Sequence, residues 1–146
     1  MPDEYLDALD IGERTHVWAS VLNQTAEGFH GSTSIVALVD GVVAGFATVG
    51  GLRGADPADN AGEIYSIYAS PAVWGIGVGR VLINEAVVQL EQRGHRGLFL
   101  WVLEANTRAR AFYERQGWQH DGESQMIEVG GRALSEFRYA RRQPIT

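Results

Sequence analysis

The 146-residue sequence has no cysteine, and none of its apolar runs approaches the roughly 20 residues that a membrane-spanning helix needs. Without cysteine there is no disulfide, no thiolate metal site and no cysteine nucleophile, so acyl transfer through an enzyme cysteine is excluded. The acidic start, MPDEYLDALD, lacks the basic region and apolar stretch of a signal peptide. These absences predict a cytoplasmic protein with no membrane partner.

Basic residues are scarce as well, with 12 Lys and Arg against 18 Asp and Glu, for a net charge of -6. A general nucleic-acid surface needs clustered Lys and Arg, so we expect no nucleic-acid partner, and any anion site must be local. The four histidines show no ligand spacing, and no metal is expected. At this length, 45% hydrophobic residues predict one globular domain spanning residues 1–146.

The first half of the sequence has three distinct patterns. Apolar residues between Asp3 and about Leu22 recur at three- and four-residue intervals, which predicts two short amphipathic helices. The β-rich runs at 34–39 and 42–49 flank Asp40-Gly41, the dipeptide that a two-residue hairpin turn prefers. The polar, Gly-rich stretch at 50–62 predicts a loop.

The second half alternates between strand and helix patterns. Strands are predicted over residues 63–69 and 98–103, helices from the glycine-rich stretch 75–79 to about 93 and over 107–116, and a final strand pair over 118–129 and 132–139. Together the patterns predict an α/β (α+β) domain with a mixed sheet, antiparallel at its edges and partly parallel in the middle.

One glycine-rich turn, Gly75 to Arg80, lies between a predicted strand and a helix. Unpaired N–H groups and the positive end of the helix dipole converge there, which favours phosphate binding. A dinucleotide fingerprint would need glycine at position 80 or 82, where Arg80 and Leu82 stand, and a Walker loop would need Gly-Lys-Ser/Thr. Both nucleotide motifs are therefore excluded, and a tight connection without a ligand is the alternative.

Two segments resemble the GNAT superfamily of N-acetyltransferases. EIYSIYASPAVWGIGVGRVL, which begins at Glu63, is similar to its acetyl-CoA motif Q/R-x-x-G-x-G/A, which falls on Trp74 to Gly79 with Trp74 as a departure. LWVLEANTRARAFYERQGW, which begins at Leu100, is similar to its strand-Asn-helix segment. The resemblance implies acetyl-CoA as the acyl-donor cosubstrate, an amine acceptor of unknown identity, and a central parallel strand pair that splays apart.

The resemblance also implies which residues hold the cosubstrate. Main-chain N–H groups of the glycine-rich turn would bind the pyrophosphate, and the Ile67 N–H would polarise the thioester. The full set of implied binding residues is Ile67, Tyr68, Ala69, Trp74, Gly75, Ile76, Gly77, Val78, Gly79, Arg80, Asn106, Ala109, Phe112 and Tyr113. For Asn106 an ordinary helix N-cap is the alternative, and the two roles are compatible.

The resemblance implies two catalytic residues. Tyr113 would protonate the departing thiolate, with a core aromatic role as the alternative. Glu63 would accept the amine's proton, directly or through water; the alternative is a solvated strand-end glutamate, and Glu104 is a weaker candidate base. Strand alternation predicts that Glu63, Tyr65 and Ile67 share one face of the sheet.

GNAT domains usually begin with a strand and a helix that the first residues here do not match. The resemblance therefore implies a shortened N terminus, in which the strand at 34–39 is an exposed edge, and we expect a homodimer or a marginally stable monomer. The same gap and Trp74 leave a second function open, a catalytically impaired module that senses acyl-CoA or acts as a scaffold. A structural domain without affinity for coenzyme A is the third.

Overall fold

The computed structural model describes residues 9–11, 15–23 and 32–141. Its strands and helices are β1 (Leu9–Ile11), β2 (Thr15–Asn23), β3 (Thr33–Val39), β4 (Val42–Gly51), β5 (Ala61–Ala69), α1 (Val78–Gln92), β6 (Gly97–Leu103), α2 (Thr107–Arg115), β7 (Trp118–Val129) and β8 (Arg132–Arg141). None of the helices described is long and apolar enough to cross a membrane.

The strands form one mixed sheet in the order β1-β2-β3-β4-β5-β6-β8-β7. Six of them, from Thr33 onward, form its main body, and β1 and β2 extend it. The pair β5–β6 is parallel and the other neighbours are antiparallel. The predicted fold class, a largely antiparallel sheet with a central parallel pair and flanking helices, is confirmed.

The chain before residue 33 differs from the prediction. The described residues there form strands rather than the two amphipathic helices expected between positions 3 and 22, of which the remaining positions lie outside the described residues. Strand β2 pairs with β3 from Val17↔Val39 to Asn23↔Thr33, and so occupies the position that the prediction left empty. This corrects the expectation that β3 is an exposed edge, which was the physical reason for expecting a dimer; the oligomeric state itself stays a prediction.

Local signals after residue 32 correspond closely to the structure. Asp40 and Gly41, at the turn between β3 and β4, have φ values of 50° and 81°, as the hairpin prediction requires. Gly94 and Gly117, with φ values of 88° and 92°, follow the ends of α1 and α2. These left-handed positions suit glycine because it has no Cβ, so each helix ends where the sequence predicts.

The core lies where α1 packs against strands β2 to β5. The helix buries seven apolar residues, Val78, Val81, Leu82, Ile83, Ala86, Val87 and Leu90. The polar Glu85 and Gln89 are buried on the same face, where Gln89 Nε2 donates to Glu85 Oε2 at 2.6 Å. Because Gly45 has no side chain, the Leu82 side chain can lie against β4 there. This packing fixes the first turn of α1 relative to β5, which positions the groove described below.

The two parallel strands separate partway along their length. They pair only from Ala61↔Gly97 to Ile64↔Leu100, although β5 continues to Ala69 and β6 to Leu103. Beyond the last pair β6 follows β8, while β5 follows β4. The implied splay is thus present, and alternate backbone polar groups of residues 65–69 face the side that β6 has left.

Candidate functional site

A groove of about 980 Å³ opens where β5 and β6 separate. Its walls come from the end of β5, the turn before α1 and the side of α2. Thirteen of the fourteen residues predicted to bind the cosubstrate line it: Ile67, Tyr68, Ala69, Trp74, Gly75, Gly77, Val78, Gly79, Arg80, Asn106, Ala109, Phe112 and Tyr113. Ile76 is not among the lining residues.

The glycine-rich turn presents backbone donors to this groove. Gly75 and Gly77 have φ values of 92° and 91°, which a residue with a Cβ adopts only with strain. Gly77 is the N-cap of α1, no side chain caps this helix end, and the first helical bond is donated by the Val81 N–H to the Gly77 carbonyl at 3.0 Å. The N–H groups of residues 78–80 therefore have no acceptor within the helix, as anion binding requires.

The third glycine of the turn has a packing role. A Cβ on Gly79 would lie 3.1 Å from the Phe112 ring, closer than side chains normally approach. Phe112 also meets the Tyr113 ring edge-on, at 5.4 Å between centroids. Gly79 therefore allows α2 to approach α1, and this contact sets the width of the groove at its base.

The charge at the groove is opposite to that of the chain. Its lining includes Arg80, Arg108 and Arg115 and no Asp or Glu, whereas the whole sequence carries a net charge of -6. Neither α1 nor α2 has an acidic residue in its first turn, where Asp and Glu are usually favoured. The expected local anion site is thus supported by the distribution of charge.

Trp74 stands at the first position of the motif and is 47% exposed. Its indole Nε1–H donates to the Ala69 carbonyl at 2.8 Å, so it ties the turn to the end of β5. The guanidinium carbon of Arg108 lies 3.8 Å from the indole centroid. This contact joins positions 34 residues apart in sequence on two different elements, and no local sequence pattern predicts it.

Tyr113 projects from α2 into the groove lining and is only 8% exposed. Burial raises its pKa to about 12, because the ionised phenolate is disfavoured away from water. The phenol therefore keeps its proton across the neutral range. The neighbouring Tyr139 differs, since its hydroxyl donates to Glu114 Oε2 at 2.8 Å and accepts from Arg110 Nε at 3.1 Å.

Asn106 has the capping role that its sequence position allows. Its Oδ1 accepts a hydrogen bond from the Ala109 N–H at 3.1 Å, at the start of α2. The residue is exposed and lines the groove, so the cap leaves the amide nitrogen available to a ligand.

Glu63 lies outside the groove lining and is 1% exposed. Its Oε2 accepts from Arg53 Nη2 at 2.6 Å, and its Oε1 accepts from the Arg53 backbone N–H at 3.0 Å and from Nε at 3.2 Å. The alternative of a solvated strand-end glutamate is therefore wrong. The partner was missed because Arg53 lies in the stretch predicted as a loop, where an isolated arginine gives no signal of its partner.

The prediction that Glu63, Tyr65 and Ile67 share one face of the sheet is wrong for Ile67, because β5 contains a bulge. The register with β4 shifts between Thr48↔Ser66 and Val49↔Ile64, so Tyr65 is the extra residue. Ile67 pairs with Ala47, which is buried on the α1 side like Val49. Glu63 pairs with Gly50, whose missing Cβ leaves room for the Tyr65 side chain. Glu63 and Tyr65 therefore share one face, and Ile67 lies on the other.

The weaker candidate base, Glu104, is exposed at the end of β6. Its backbone N–H donates to the Ser135 carbonyl at 2.9 Å, and its own carbonyl accepts from Arg110 Nη1 at 3.0 Å. Its side chain is not part of the groove lining. Over the described ranges, no group of three His, Cys, Asp or Glu side chains is placed to hold a metal ion.

Comparison with known proteins gives related sequences and folds. The family model described as the Acetyltransferase (GNAT) family matches residues 3–118. The chain is 40% identical over 57 residues to an uncharacterized N-acetyltransferase, MJ1207 of Methanocaldococcus jannaschii, a match that covers 39% of this chain and 25% of that protein. It is 29% identical over 136 residues to the uncharacterized N-acetyltransferase YuaI of Bacillus subtilis, covering 93% of this chain and 73% of that protein.

A solved structure shares the fold. The crystal structure of the PaiA N-acetyltransferase from Thermoplasma acidophilum in complex with coenzyme A superposes with a TM-score of 0.61 at 18% identity. The superposition covers 77% of this chain and 62% of that one. At this identity the superposition shows a shared fold.

Proposed function

Because the chain belongs to the GNAT family of acetyltransferases, we propose that it transfers an acetyl group from acetyl-CoA to an amine by direct attack within a ternary complex. The observation that carries the proposal is the groove at the strand splay, where an uncapped helix end and three arginines meet a buried, protonated tyrosine. The amine acceptor is a small molecule or a protein or peptide amine.

The first step is binding of the cosubstrate's diphosphate. Residues 78–80 line the groove at the start of α1, where their N–H groups have no acceptor within the helix, and Arg80 adds a charged donor. Such backbone donors bind an anion without first having to be ordered, because the helix already holds them in place. The absence of acidic side chains from the lining removes the repulsion that a diphosphate would otherwise meet.

The second step is orientation of the thioester. The pantetheine arm would follow the open half of β5, where residues 65–69 have no strand partner on the β6 side. A backbone N–H there, assigned to Ile67, would donate to the carbonyl oxygen as negative charge develops on it. Acetyl-CoA supplies an activated acyl group, and the protein contributes its orientation and polarisation.

The third step is transfer. The amine nitrogen bonds to the thioester carbon, the carbon–sulfur bond breaks, and the Tyr113 hydroxyl donates its proton to the departing sulfur. Tyr113 carries this proton at neutral pH, as a tyrosine of ordinary pKa also would, and the burial that raises its pKa to about 12 makes the phenolate formed in this step more costly. Solvent then returns a proton to the phenolate, which burial disfavours.

The amine must also lose a proton before it attacks. We assign this role to Glu63 acting through water, because its side chain lies on the opposite sheet face from Ile67 and outside the groove lining. Arg53 holds both carboxylate oxygens, which fixes the orientation of the carboxylate and leaves lone pairs for a water molecule.

One observation favours a second candidate, an acyl-CoA-binding module with impaired catalysis. Both Glu63 oxygens are already engaged by Arg53, so this base is less available than a free carboxylate. A thiol-release assay with acetyl-CoA over a panel of small amines and peptides separates the two candidates. Release that depends on an acceptor supports the transferase, and tight binding of coenzyme A without turnover on any acceptor supports the sensor.

A further inference from the structure

The contact between Trp74 and Arg108 holds an arginine of α2 beside the first residue of the glycine-rich motif. We propose that Arg108, held against the indole ring of Trp74, binds the diphosphate of coenzyme A and supplies the side-chain contact that the unusual residue at position 74 cannot. The proposal rests on the proposed function, since it assigns one more ligand to the same cosubstrate.

Trp74 has no polar group left for a phosphate. Its only donor, Nε1–H, is used by the Ala69 carbonyl, and this bond also fixes the plane of the indole ring. The ring offers its face, over which the Arg108 guanidinium carbon lies at 3.8 Å from the centroid. The position that usually carries a polar side chain has therefore become a platform for an arginine from another helix.

Arg108 is not otherwise committed. It forms no ion pair or hydrogen bond with the side chain of any residue in the described ranges. Arg110, two residues on, is tied instead to the Tyr139 hydroxyl and the Glu104 carbonyl. A stacked guanidinium keeps its N–H groups free at the edge, and that fork matches the oxygens of a phosphate.

The position of Arg108 relative to the glycine-rich turn indicates which part of coenzyme A it binds, namely the diphosphate. Trp74 begins the turn whose backbone donors face the groove, and Arg108 and Arg80 lie in the first turns of α2 and α1. A diphosphate bound at the turn would thus have one arginine on each helix. Stacking on Trp74 also reduces the rotamer freedom that Arg108 would lose on binding.

The test measures binding by isothermal titration calorimetry with two probes, coenzyme A and 3′-dephospho-coenzyme A. We expect Arg108→Ala to raise the Kd about tenfold for both probes, because both contain the diphosphate. Arg108→Lys should recover part of the loss, since it keeps the charge but not the planar fork. Arg132→Ala, which removes an exposed arginine at the start of β8, is the control and should leave both Kd values unchanged.

A double-mutant cycle tests the platform. Trp74→Leu should weaken binding by itself, and Arg108→Ala should then cost much less than in the wild-type chain, because the arginine is no longer held in place. Unfolding midpoints without ligand should agree among the variants, which confirms that they fold alike. Fully additive losses would overturn the role of Trp74.

The outcomes also separate this proposal from the proposed function. Wild-type binding of coenzyme A with an unchanged Kd for Arg108→Ala would overturn the ligand assignment and leave the transferase standing. A loss confined to coenzyme A and absent with 3′-dephospho-coenzyme A would place Arg108 on the 3′-phosphate and overturn the diphosphate assignment. No binding of either probe to the wild-type chain would overturn the proposed function.

Discussion

The two halves of strand β5 differ in what surrounds them. Residues 62–64 are paired with strands on both sides, and Glu63 within them is buried and forms an ion pair with Arg53. Residues 65–69 are paired only with β4 and face the groove that Tyr113 lines from the other side. The bulge at Tyr65 separates the two halves and shifts the alternation of side chains between them, so that Glu63 and Ile67 lie on opposite faces.

Under the proposed function, this difference would let one strand serve two reactants. The open half has the unpaired backbone donors that an acyl donor needs, whereas the closed half holds a carboxylate rigidly on the other side of the sheet. The acyl donor and the proton acceptor can thus be approached from different faces. Substitutions in the closed half should change proton removal, and substitutions around the open half should change transfer and cosubstrate binding.

The largest expected effect is on Glu63, in the closed half. Glu63→Gln keeps the volume and part of the bonding to Arg53 but removes the proton acceptor, so kcat should fall by about 100-fold or more. The Kd for coenzyme A should not change, because Glu63 lies outside the groove lining. Steady-state kinetics with the best acceptor from the panel, together with calorimetric binding, measure both.

Arg53→Ala is the matched control for that substitution. Arg53 is 67% exposed, so its removal breaks the ion pair while the carboxylate remains. If Glu63 serves only the ion pair, Arg53→Ala should lose at least as much activity and unfolding free energy as Glu63→Gln, because it leaves a buried carboxylate without its cation. A much larger loss of kcat in Glu63→Gln supports the catalytic role.

The next effect is on Tyr113, across the groove from the open half. Tyr113→Phe removes the proton donor and keeps the ring packing against Phe112, so kcat should fall about tenfold or more while binding of coenzyme A survives. Tyr139→Phe is the matched control, since that hydroxyl is bonded to Arg110 and Glu114 rather than lining the groove. Unchanged turnover in Tyr113→Phe would remove this residue from the chemistry.

Alkaline stability should report the burial of the same residue. The pKa of Tyr113 is raised to about 12 in the folded protein, whereas an exposed tyrosine has a pKa near 10. Above pH 10 the unfolded chain releases this proton and the folded chain retains it, so the free energy of unfolding should fall, by about 1.4 kcal/mol at pH 11.

The measurement is urea unfolding at pH 8, 10 and 11, with Tyr113→Phe beside the wild-type chain. The variant should lose less stability over this range because it has no proton to release at position 113, although Tyr65 and Tyr139, whose pKa values are also raised, still contribute in both proteins. Parallel stability losses would show that Tyr113 is not buried as described.

The smallest expected effect is on Asn106, at the base of the groove. Asn106→Ala removes the cap on α2 and should reduce the free energy of unfolding by about 1 kcal/mol, as urea unfolding can measure. Asn106→Ser keeps a capping oxygen and should be nearly as stable as the wild-type chain. If Asn106→Ser nevertheless binds coenzyme A less tightly, the side chain contacts the cosubstrate as well; equal binding would leave it a cap alone.

Short-range chemistry made most of the fold predictable. Asp40-Gly41, the glycine-rich turn and Gly94 each set a local conformation through their own φ preferences, so the elements they delimit follow from the sequence. The strand splay and the residues that line the groove were predicted from the family resemblance, because the divergence of two strands leaves no periodic pattern in the sequence.

The contacts that the sequence did not predict are long-range. Arg53 meets Glu63, and Arg108 meets Trp74, through side chains that only the folded sheet brings together. The bulge at Tyr65 depends on register against β4, which a single strand does not encode. The prediction of helices between residues 3 and 22 was wrong at the described positions, because apolar spacing over a short segment fits both a helical period and a strand period. The pairing of β2 with β3 decides between the two.

The central claim is that the N–H groups at the start of α1 bind the diphosphate of coenzyme A. Amide hydrogen exchange with and without saturating coenzyme A tests it at residue level. The account predicts slower exchange at residues 78–80 and no change at the 40–41 hairpin turn. Unchanged exchange at residues 78–80 in the presence of a bound ligand would contradict it.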